Sequence, residues 1–253
     1  MKPCLLIPIY DHGDTIGDVV ESLAYLELPC LIVDDGSAEA TRVELARILA
    51  RHDWVHVERR ERNGGRGAAL RTGYRLAASR GYTHAVQLDA DGQHDSRDVP
   101  RLLEAAQKDP RALVLGRPIF DDSAPRLRIF GRAISQFWVW VETLSFAIED
   151  PLCGFRCFPL EETVELLDVH PLGDRMDFDP EIAVRLHWRG LPIVSVPTRV
   201  CYHEGGLSHF APAYDSWLIA KAHVRLVGGM LLRAPGLLRR STRGVSVTRR
   251  SRA

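Results

Sequence analysis

Short apolar runs alternate with segments of helical period from the first residues of the chain. Cys4–Ile9 is continuously apolar, as a strand buried on both faces of a parallel sheet reads. Ile16, Val19, Val20, Leu23 and Leu26 then recur at helical spacing, with Asp14 or Thr15 placed to cap the helix. Leu31–Val33 predicts a second strand, Val43–Leu49 a helix, and Val55–Val57 a third strand. A glycine-rich turn at Asn63–Gly67 opens a helix to Ser79, and Ala85–Leu88 predicts strand four. A helix from about Pro100 to Gln107 leads to a fifth strand at Leu113–Leu115. Repeated βα units of this length predict a mainly parallel, doubly wound α/β sheet. The second half is less regular. An aromatic-rich helix is expected over Leu127–Ile148, a strand at Gly154–Phe158 and a helix at Glu181–Trp188. A strand at Leu191–Val200 has Pro192 and Pro197 near its ends, which suits a sheet edge.

Such sheets bind ligands beyond the carboxyl ends of their strands. Here those ends carry Tyr10, Asp11, Asp34, Asp35, Asp89, Asp91 and Arg117. Composition changes little: 253 residues, 33 basic and 33 acidic, give no global sign of a nucleic-acid partner. Locally the balance breaks, because no Asp or Glu follows Leu218 while Lys221, Arg225, Arg233 and further arginines do. The five cysteines are odd in number and mostly in apolar runs, which suits buried thiols in a reducing, cytoplasmic setting. Cys153 and Cys157 lack zinc-site spacing. With Cys4–Ile9 reading directly as a strand, no leader peptide is expected. No uninterrupted apolar stretch reaches membrane-spanning length.

Asp89 and Asp91 carry the strongest chemical signal. At positions i and i+2 of extended chain, two carboxylates point the same way and call for a cation. A hard divalent ion meets that need, with diphosphate oxygens completing its shell. Gln93 and His94 follow closely enough to add or orient a ligand, whereas Asp95 and Ser96 read as a helix cap. Asp34 and Asp35 are placed for ribose hydroxyls or a base edge, although Asp-Gly is also a common turn. The first βα turn, Tyr10-Asp11-His12-Gly13-Asp14, lacks the glycine fingerprint of dinucleotide-binding enzymes. Asn63-Gly64-Gly65-Arg66-Gly67 is not a P-loop, but beside two acidic strand ends Arg66 is a candidate donor-phosphate contact.

Taken in order, Pro8-x-Tyr10, Val33-Asp34-Asp35-Gly36-Ser37, Asn63-Gly64-Gly65-Arg66-Gly67-x-Ala69, Asp89-Ala90-Asp91-Gly92-Gln93-His94 and Gly116-Arg117 resemble family 2 glycosyltransferases. Asp150–Arg156 and Phe178–Ile182 extend the likeness, which spans roughly residues 3 to 210 and is nearest the dolichyl/polyprenyl-phosphate mannosyltransferase branch. The resemblance implies a GT-A fold, a nucleotide-diphosphate-sugar donor, Mg2+ or Mn2+, and inversion at the anomeric carbon. It places Pro8, Tyr10, Asp34 and Asp35 on the nucleoside, and Asp89, Asp91 and Gln93 around metal and diphosphate. In the phosphate-acceptor branch Arg117, Arg132 and Ser135 would face the acceptor. Asp11, His12-Gly13 and Gly92 depart from the usual residues, leaving sugar and acceptor open.

What attacks the sugar divides the readings. A phosphate is already anionic and needs cationic clamps, for which Arg117, Arg128 and Arg132 are available. Arg128 and Arg132 also read as the solvated face of a helix. A hydroxyl needs a carboxylate base, and Asp179 is the best placed. Asp179 reads equally as a helix cap before Pro180, and Glu181 as a first-turn acid. His203–His209 is a glycine-rich loop in which Ser208 and His209 are substrate-contact candidates and Glu204 a loop residue. The chain is divided as a transferase domain (1–212), a basic amphipathic helical segment (213–240) and a disordered basic tail (241–253). The middle segment suits peripheral contact with an anionic membrane at its inner face, or packing on the core. Rivals are a hydroxyl-acceptor transferase, a sugar nucleotidyltransferase and an inactive scaffold; the sequence leaves the oligomeric state open.

Overall fold

The computed structural model describes residues 1–120, 126–200 and 210–250, with side chains outside 126–128 and 240–250. Its centre is a seven-stranded sheet in the order β3-β2-β1-β4-β6-β5-β7. The first four strands are β1 (Pro3–Ile9), β2 (Cys30–Asp34), β3 (Val55–Arg59) and β4 (His84–Gln87), and they pair in parallel. Successive side chains of β1 and β2 point to opposite faces, and both faces are buried. Cys4, Leu6, Leu31 and Val33 enter one core, while Leu5, Ile7, Cys30 and Ile32 enter the other. That double burial is why these strands read as unbroken apolar runs. The helices between them are α1 (Ile16–Leu23), α2 (Glu39–Arg51), α3 (Arg66–Ser79) and α4 (Val99–Lys108). Each follows the expected order, and Thr15 is the cap residue of α1.

Beyond β4 the sheet reverses. β6 (Arg156–Pro159) is antiparallel to both β4 and β5 (Leu113–Phe120), and β7 (Ile193–Val200) closes the edge parallel to β5. The edge position expected from the prolines is where β7 lies. β5 runs five residues past the expected Leu115, because β7 pairs with it from Leu113↔Ile193 to Phe120↔Val200. α5 (Arg126–Thr143) stops short of the expected Ile148, at Leu144, whose φ is +50°. α6 (Leu160–Val169) was not read from the sequence. It starts directly after β6, with Pro159 ending the strand and standing at the cap, so no turn residues mark the boundary.

α7 (Phe178–Trp188) begins earlier than expected. Asp177 is the cap residue, and Asp179 and Pro180 lie inside the first turn. The capping role considered for Asp179 therefore does not hold. α8 (Pro212–Arg250) runs without a break across the boundary drawn at residue 240, and residues 251–253 lie outside the described residues. Asp215, Ala222, His223, Leu226, Met230 and Leu237 of α8 are buried. Gly229 allows close approach, since a Cβ there would lie 2.8 Å from the Trp188 ring. Trp217, Val224, Leu231 and Leu238, seven residues apart, are exposed on α8. The helix thus packs on the core and also presents an outward apolar stripe. No helix among the described residues is long and apolar enough to cross a membrane.

Candidate active site

The ends of β1 and β2 build one side of the site. Pro8 is buried within β1 opposite Val33, while Tyr10 is half-buried just past the strand end. Asp34 and Asp35 are both buried. Asp34 accepts the Ser37 N–H at 2.8 Å and is ion-paired with Arg59. Asp35 accepts the Gly65 N–H at 2.7 Å and the Gly64 N–H at 3.1 Å, and is ion-paired with Arg60. The Arg60 guanidinium lies where a Cβ on Gly64 would sit, 2.6 Å from it, so Gly64 is the bed for that arginine. The Asp34 carboxylate thus closes the turn to Ser37, a local contact that stands beside the nucleoside role considered for it. Arg59 and Arg60 were missed from the sequence. Consecutive basic residues at the end of β3 opposite consecutive acids at the end of β2 were the available signal, since β2 and β3 pair Asp34↔Arg59.

Asp89 and Asp91 stand beyond the end of β4, in a turn completed by Gly92 at φ +71°. The extended geometry assumed for the pair is thus replaced by a turn. Their nearness survives, because Asp89 contributes to the raised pKa of Asp91. Burial is the larger cause of that rise, and the Gln93 N–H bond at 3.1 Å opposes it. For Asp89, burial pushes the carboxyl up. Arg66 and then His94 outweigh it and hold the group well below the usual carboxylate range. Arg66 Nη1 is 2.6 Å from Asp89 Oδ1, and His94 Nε2 is 3.3 Å from Asp89 Oδ2. Gln93 is half-buried beside them.

Arg66 is the hub. Its Nε donates to Asp179 Oδ2 at 2.7 Å, so one guanidinium joins the turn after β4 to the first turn of α7. Fully buried Arg156 donates to the Asp179 carbonyl at 2.8 Å and lies 3.8 Å from its Oδ1. Gly154 makes room for this cluster, because a Cβ there would lie 2.3 Å from Asp89 Oδ2 and 2.5 Å from Arg66 Nη2. Beneath it, Gln87 donates to the Gly154 carbonyl at 2.8 Å and accepts from the Tyr74 hydroxyl. Arg156 and Gly154 sit in a motif that carried the family likeness, but their contacts with Asp179 and Asp89 join separate segments of the chain and have no local signature. Among the described residues, Arg66 Nη2 is buried without a hydrogen bond, while Asp89 Oδ1 and Asp179 Oδ1 meet only arginine, at 2.6 Å and 3.8 Å. Buried polar atoms left this way are costly unless a ligand completes them. No closed cage of three His, Cys, Asp or Glu side chains occurs among the described residues. Two neighbouring carboxylates, Asp89 and Asp91, the second without an ion pair among the described residues, are the hard oxygen donors of an open cation site that a diphosphate would complete.

The candidate acceptor residues lie on β5 and α5. Arg132 grips Asp150 with two parallel bonds, 2.8 Å and 2.9 Å, and lies over the Phe120 ring. Asp150 also accepts the Leu152 and Cys153 N–H groups, both at 2.8 Å, which fixes the loop before β6. Arg117 is 3.3 Å from Glu149, with both side chains well exposed. Ser135 is buried and bonded to His223 of α8 rather than lining an open surface. The Arg128 side chain and the loop with His203, Glu204, Ser208 and His209 lie outside the described residues. Cys4, Cys30, Cys153 and Cys157 are free and buried, as expected of thiols in apolar runs. Burial raises Cys4 and Cys157 to about 12.

Known proteins share this chain's sequence family and its fold. Residues 4–158 match the family described as Glycosyl transferase family 2. Polyprenol monophosphomannose synthase of Mycolicibacterium smegmatis is 28% identical over 253 aligned residues, covering 94% of this chain and 92% of that protein. Undecaprenyl-phosphate mannosyltransferase of Micrococcus luteus is 35% identical over 218, covering 82% and 87%. In fold the chain resembles the mannosyltransferase PcManGT from Pyrobaculum calidifontis, solved in complex with GDP-Man and Mn2+. The TM-score is 0.56 at 15% identity, over 97% of this chain and 80% of that one. A GT-A sheet, acids at its strand ends in the order the motifs require, and a match across more than half the chain lead to one assignment: this chain belongs to glycosyl transferase family 2.

Proposed function

We propose that this glycosyltransferase moves a hexose from a nucleotide-diphosphate sugar to the phosphate of a polyprenyl lipid, with inversion at the anomeric carbon. Mannose is the sugar to test first, since the names of both curated relatives contain it. The observation that carries the acceptor reading is the state of Asp179. Its carboxylate is 6% exposed and lies between Arg66 and Arg156. With Oδ2 taken by the Arg66 Nε–H and Arg156 beside Oδ1, the carboxylate is engaged with the protein's own cations rather than offered to a hydroxyl nucleophile. A phosphate brings its own negative charge and needs no base. Arg132 and Arg117 supply the cationic groups that such an acceptor requires.

On the donor side, Tyr10, Asp34 and Asp35 would surround the nucleoside, with Arg59 and Arg60 beside the two acids. Asp89 and Asp91, with Gln93 next to them, would hold Mg2+ or Mn2+ together with diphosphate oxygens. Such an ion supplies Lewis-acid stabilisation of the charge that builds on the leaving diphosphate. Arg66 adds a fixed positive charge at the same place, and its buried setting strengthens that charge. His94 orients Asp89 through its 3.3 Å contact.

The work is proposed to occur at the inner face of the membrane, with no helix long and apolar enough to cross it among the described residues. Phe130, Ile134, Phe137 and Trp138 form an exposed stripe along α5, and α8 adds Trp217, Val224, Leu231 and Leu238. The acids on these two helices, Glu142 and Asp215, are both fully buried. An apolar stripe flanked only by basic residues suits an anionic headgroup layer.

The test is transfer from labelled GDP-mannose or UDP-sugars, with Mn2+ or Mg2+, to vesicles containing a polyprenyl phosphate. Label in an acid-labile lipid fraction is expected. Label only in a product stable to mild acid would replace this reading with the hydroxyl-acceptor one. Pyrophosphate release from a nucleoside triphosphate and a sugar phosphate would replace it with the nucleotidyltransferase reading.

A further inference from the structure

The turn that carries Asp89 rests on a floor held by buried polar side chains. Gln87 is the last residue of β4, two positions before Asp89, and is fully buried. Its Nε2 donates to the Gly154 carbonyl at 2.8 Å, and its Oε1 accepts from the Tyr74 hydroxyl. Chemistry fixes this orientation. A backbone carbonyl only accepts, so the amide nitrogen must face Gly154 and the amide oxygen must face Tyr74. Tyr74 is fully buried too, and burial raises its phenol well above the ordinary range, so the hydroxyl keeps the proton it donates. Packing alone does not ask for an amide here. Phe158 and Phe178 lie against the Tyr74 ring, with centroids 4.9 Å and 6.5 Å away, and Leu6 is the β1 partner of Gln87. An apolar side chain would suit that setting, whereas a buried amide costs stability unless its bonds are made.

What the amide holds is the loop before β6. Asp150 accepts the Leu152 and Cys153 N–H groups, and Arg156 donates to the Pro151 and Cys153 carbonyls, both at 2.6 Å. Gln87 takes the next carbonyl, that of Gly154. Gly154 then meets the functional pair. A Cβ on it would run into both Asp89 carboxylate oxygens and Arg66 Nη2, so its bare Cα is the surface on which carboxylate and guanidinium lie. Gly154 is not among the glycines of positive φ, and room rather than backbone freedom is what the position requires. A displacement of the Gly154 peptide therefore passes straight to Asp89 and Arg66, with no side chain between to absorb it.

We propose that Gln87, anchored by Tyr74, is a positioning residue of the donor site: by holding the Gly154 peptide it sets where the Asp89 carboxylate and the Arg66 guanidinium stand. Its consequence for a bound cation and diphosphate rests on the reading of Asp89 and Asp91 given above.

The experiment titrates Mn2+ into the full chain with GDP or UDP, following the free ion by electron paramagnetic resonance. Calorimetric binding of GMP and UMP, which lack the diphosphate, is the control. Gln87→Met, Tyr74→Phe and the double variant are compared with the unmodified protein. Gln87→Met keeps the volume and removes both bonds. It is expected to weaken Mn2+ uptake with the nucleoside diphosphate about 10- to 100-fold, the scale for groups that orient a metal's own ligands. Tyr74→Phe leaves the amide with one anchor fewer and should weaken uptake about threefold, the scale of one neutral hydrogen bond. The double variant should lose no more than Gln87→Met, because Tyr74 acts through the amide. GMP and UMP affinity should not change, a split that a general loosening of the fold would not produce. Should Gln87→Met fail to fold, Tyr74→Phe makes the same comparison with a single oxygen removed. Unchanged Mn2+ uptake in the variants, an equal loss for the monophosphates, or additive losses in the double variant would overturn the proposal. If the unmodified protein binds the nucleotides but takes up no Mn2+ with either diphosphate, the metal reading of Asp89 and Asp91 itself falls, and the proposal with it.

Discussion

The two sides of the site mirror each other in charge. On the proposed donor side the strand ends carry acids, and each is met by a cation: Asp34 by Arg59, Asp35 by Arg60, Asp89 by Arg66. On the acceptor side the roles invert. There the cations are the candidates for work, and acids meet them: Arg117 by Glu149, Arg132 by Asp150. The inversion is instructive because the proposed partners differ in the same sense. A diphosphate arriving with a divalent ion brings positive charge to the acids, whereas a lipid phosphate brings only negative charge. Each side keeps its reactive charges neutralised by groups the matching partner can displace or share. The difference also extends to rigidity. The donor side rests on strand ends and glycine beds, while the acceptor side rests on helix α5 and the loop that Asp150 shapes.

The comparison is broken most severely by removing a donor acid that has no arginine of its own. Asp91 is held by the Gln93 N–H. Asp91→Ala should lower transfer by about a thousandfold or more, the scale seen when a group that stabilises transition-state charge is lost. Far-UV circular dichroism and the melting temperature should stay near those of the parent. Substantial residual turnover with an intact fold would remove the diphosphate role from this turn.

On the acceptor side Arg132→Ala should raise the KM for polyprenyl phosphate by about 10- to 100-fold, the cost of a charge-assisted contact, with the donor KM unchanged. Asp150→Asn sharpens the contrast. It keeps the loop contacts in part but weakens the grip on Arg132, so acceptor KM should rise less than in Arg132→Ala while the melting temperature falls. Equal effects on donor and acceptor KM would mean that α5 does not serve the acceptor specifically. A smaller effect is expected at the apolar surface. Phe137→Ser with Trp138→Ser should weaken sedimentation with anionic vesicles by about tenfold, since both rings are already partly covered on α5 and gain only a fraction of the about 1.5–3 kcal/mol of full burial. Rates on a detergent-solubilised acceptor should be spared.

Much of this contrast was legible in the sequence on the donor side and little of it on the acceptor side, for a physical reason. Donor residues end strands of a repeating βα unit, so their spacing is set by a regular fold and appears as an ordered series of motifs. Asp35, Asp89 and Asp91 could be singled out on that ground alone. Their partners Arg60 and Arg66 face them across strand pairing or a glycine bed, contacts that no local pattern records. On the acceptor side the elements follow no repeat. β6 runs antiparallel, α6 starts without a turn, and α5 ends at a left-handed Leu144. Ser135 could be carried over from the family likeness, but its partner His223 lies 88 residues on, in a helix for which composition left membrane contact and core packing both open. α8 buries one apolar stripe against the core and exposes another on a different face. A hydrophobicity reading sums those stripes and cannot divide them.

The smallest expected effect probes whether the acceptor-side acids restrain their arginines. Arg117 and Glu149 are 48% and 40% exposed at 3.3 Å, so their pair is screened by water and contributes about 0–1 kcal/mol. Glu149→Gln should therefore leave the melting temperature within about 1 °C to 2 °C, consistent with a change under 0.5 kcal/mol. Removing that acid also frees Arg117 for an incoming phosphate and lessens local repulsion of the anion. Transfer at subsaturating polyprenyl phosphate should then rise about two- to threefold, the equivalent of about half a kcal/mol. Because the gain is electrostatic and exposed, it should fade as salt increases toward molar concentration, where charges are screened within a few ångströms. A gain that persists in high salt would point to a changed loop rather than a released arginine. No gain at low salt would leave Arg132 as the cation that matters and restrict the charge inversion between the two sides to the buried pairs.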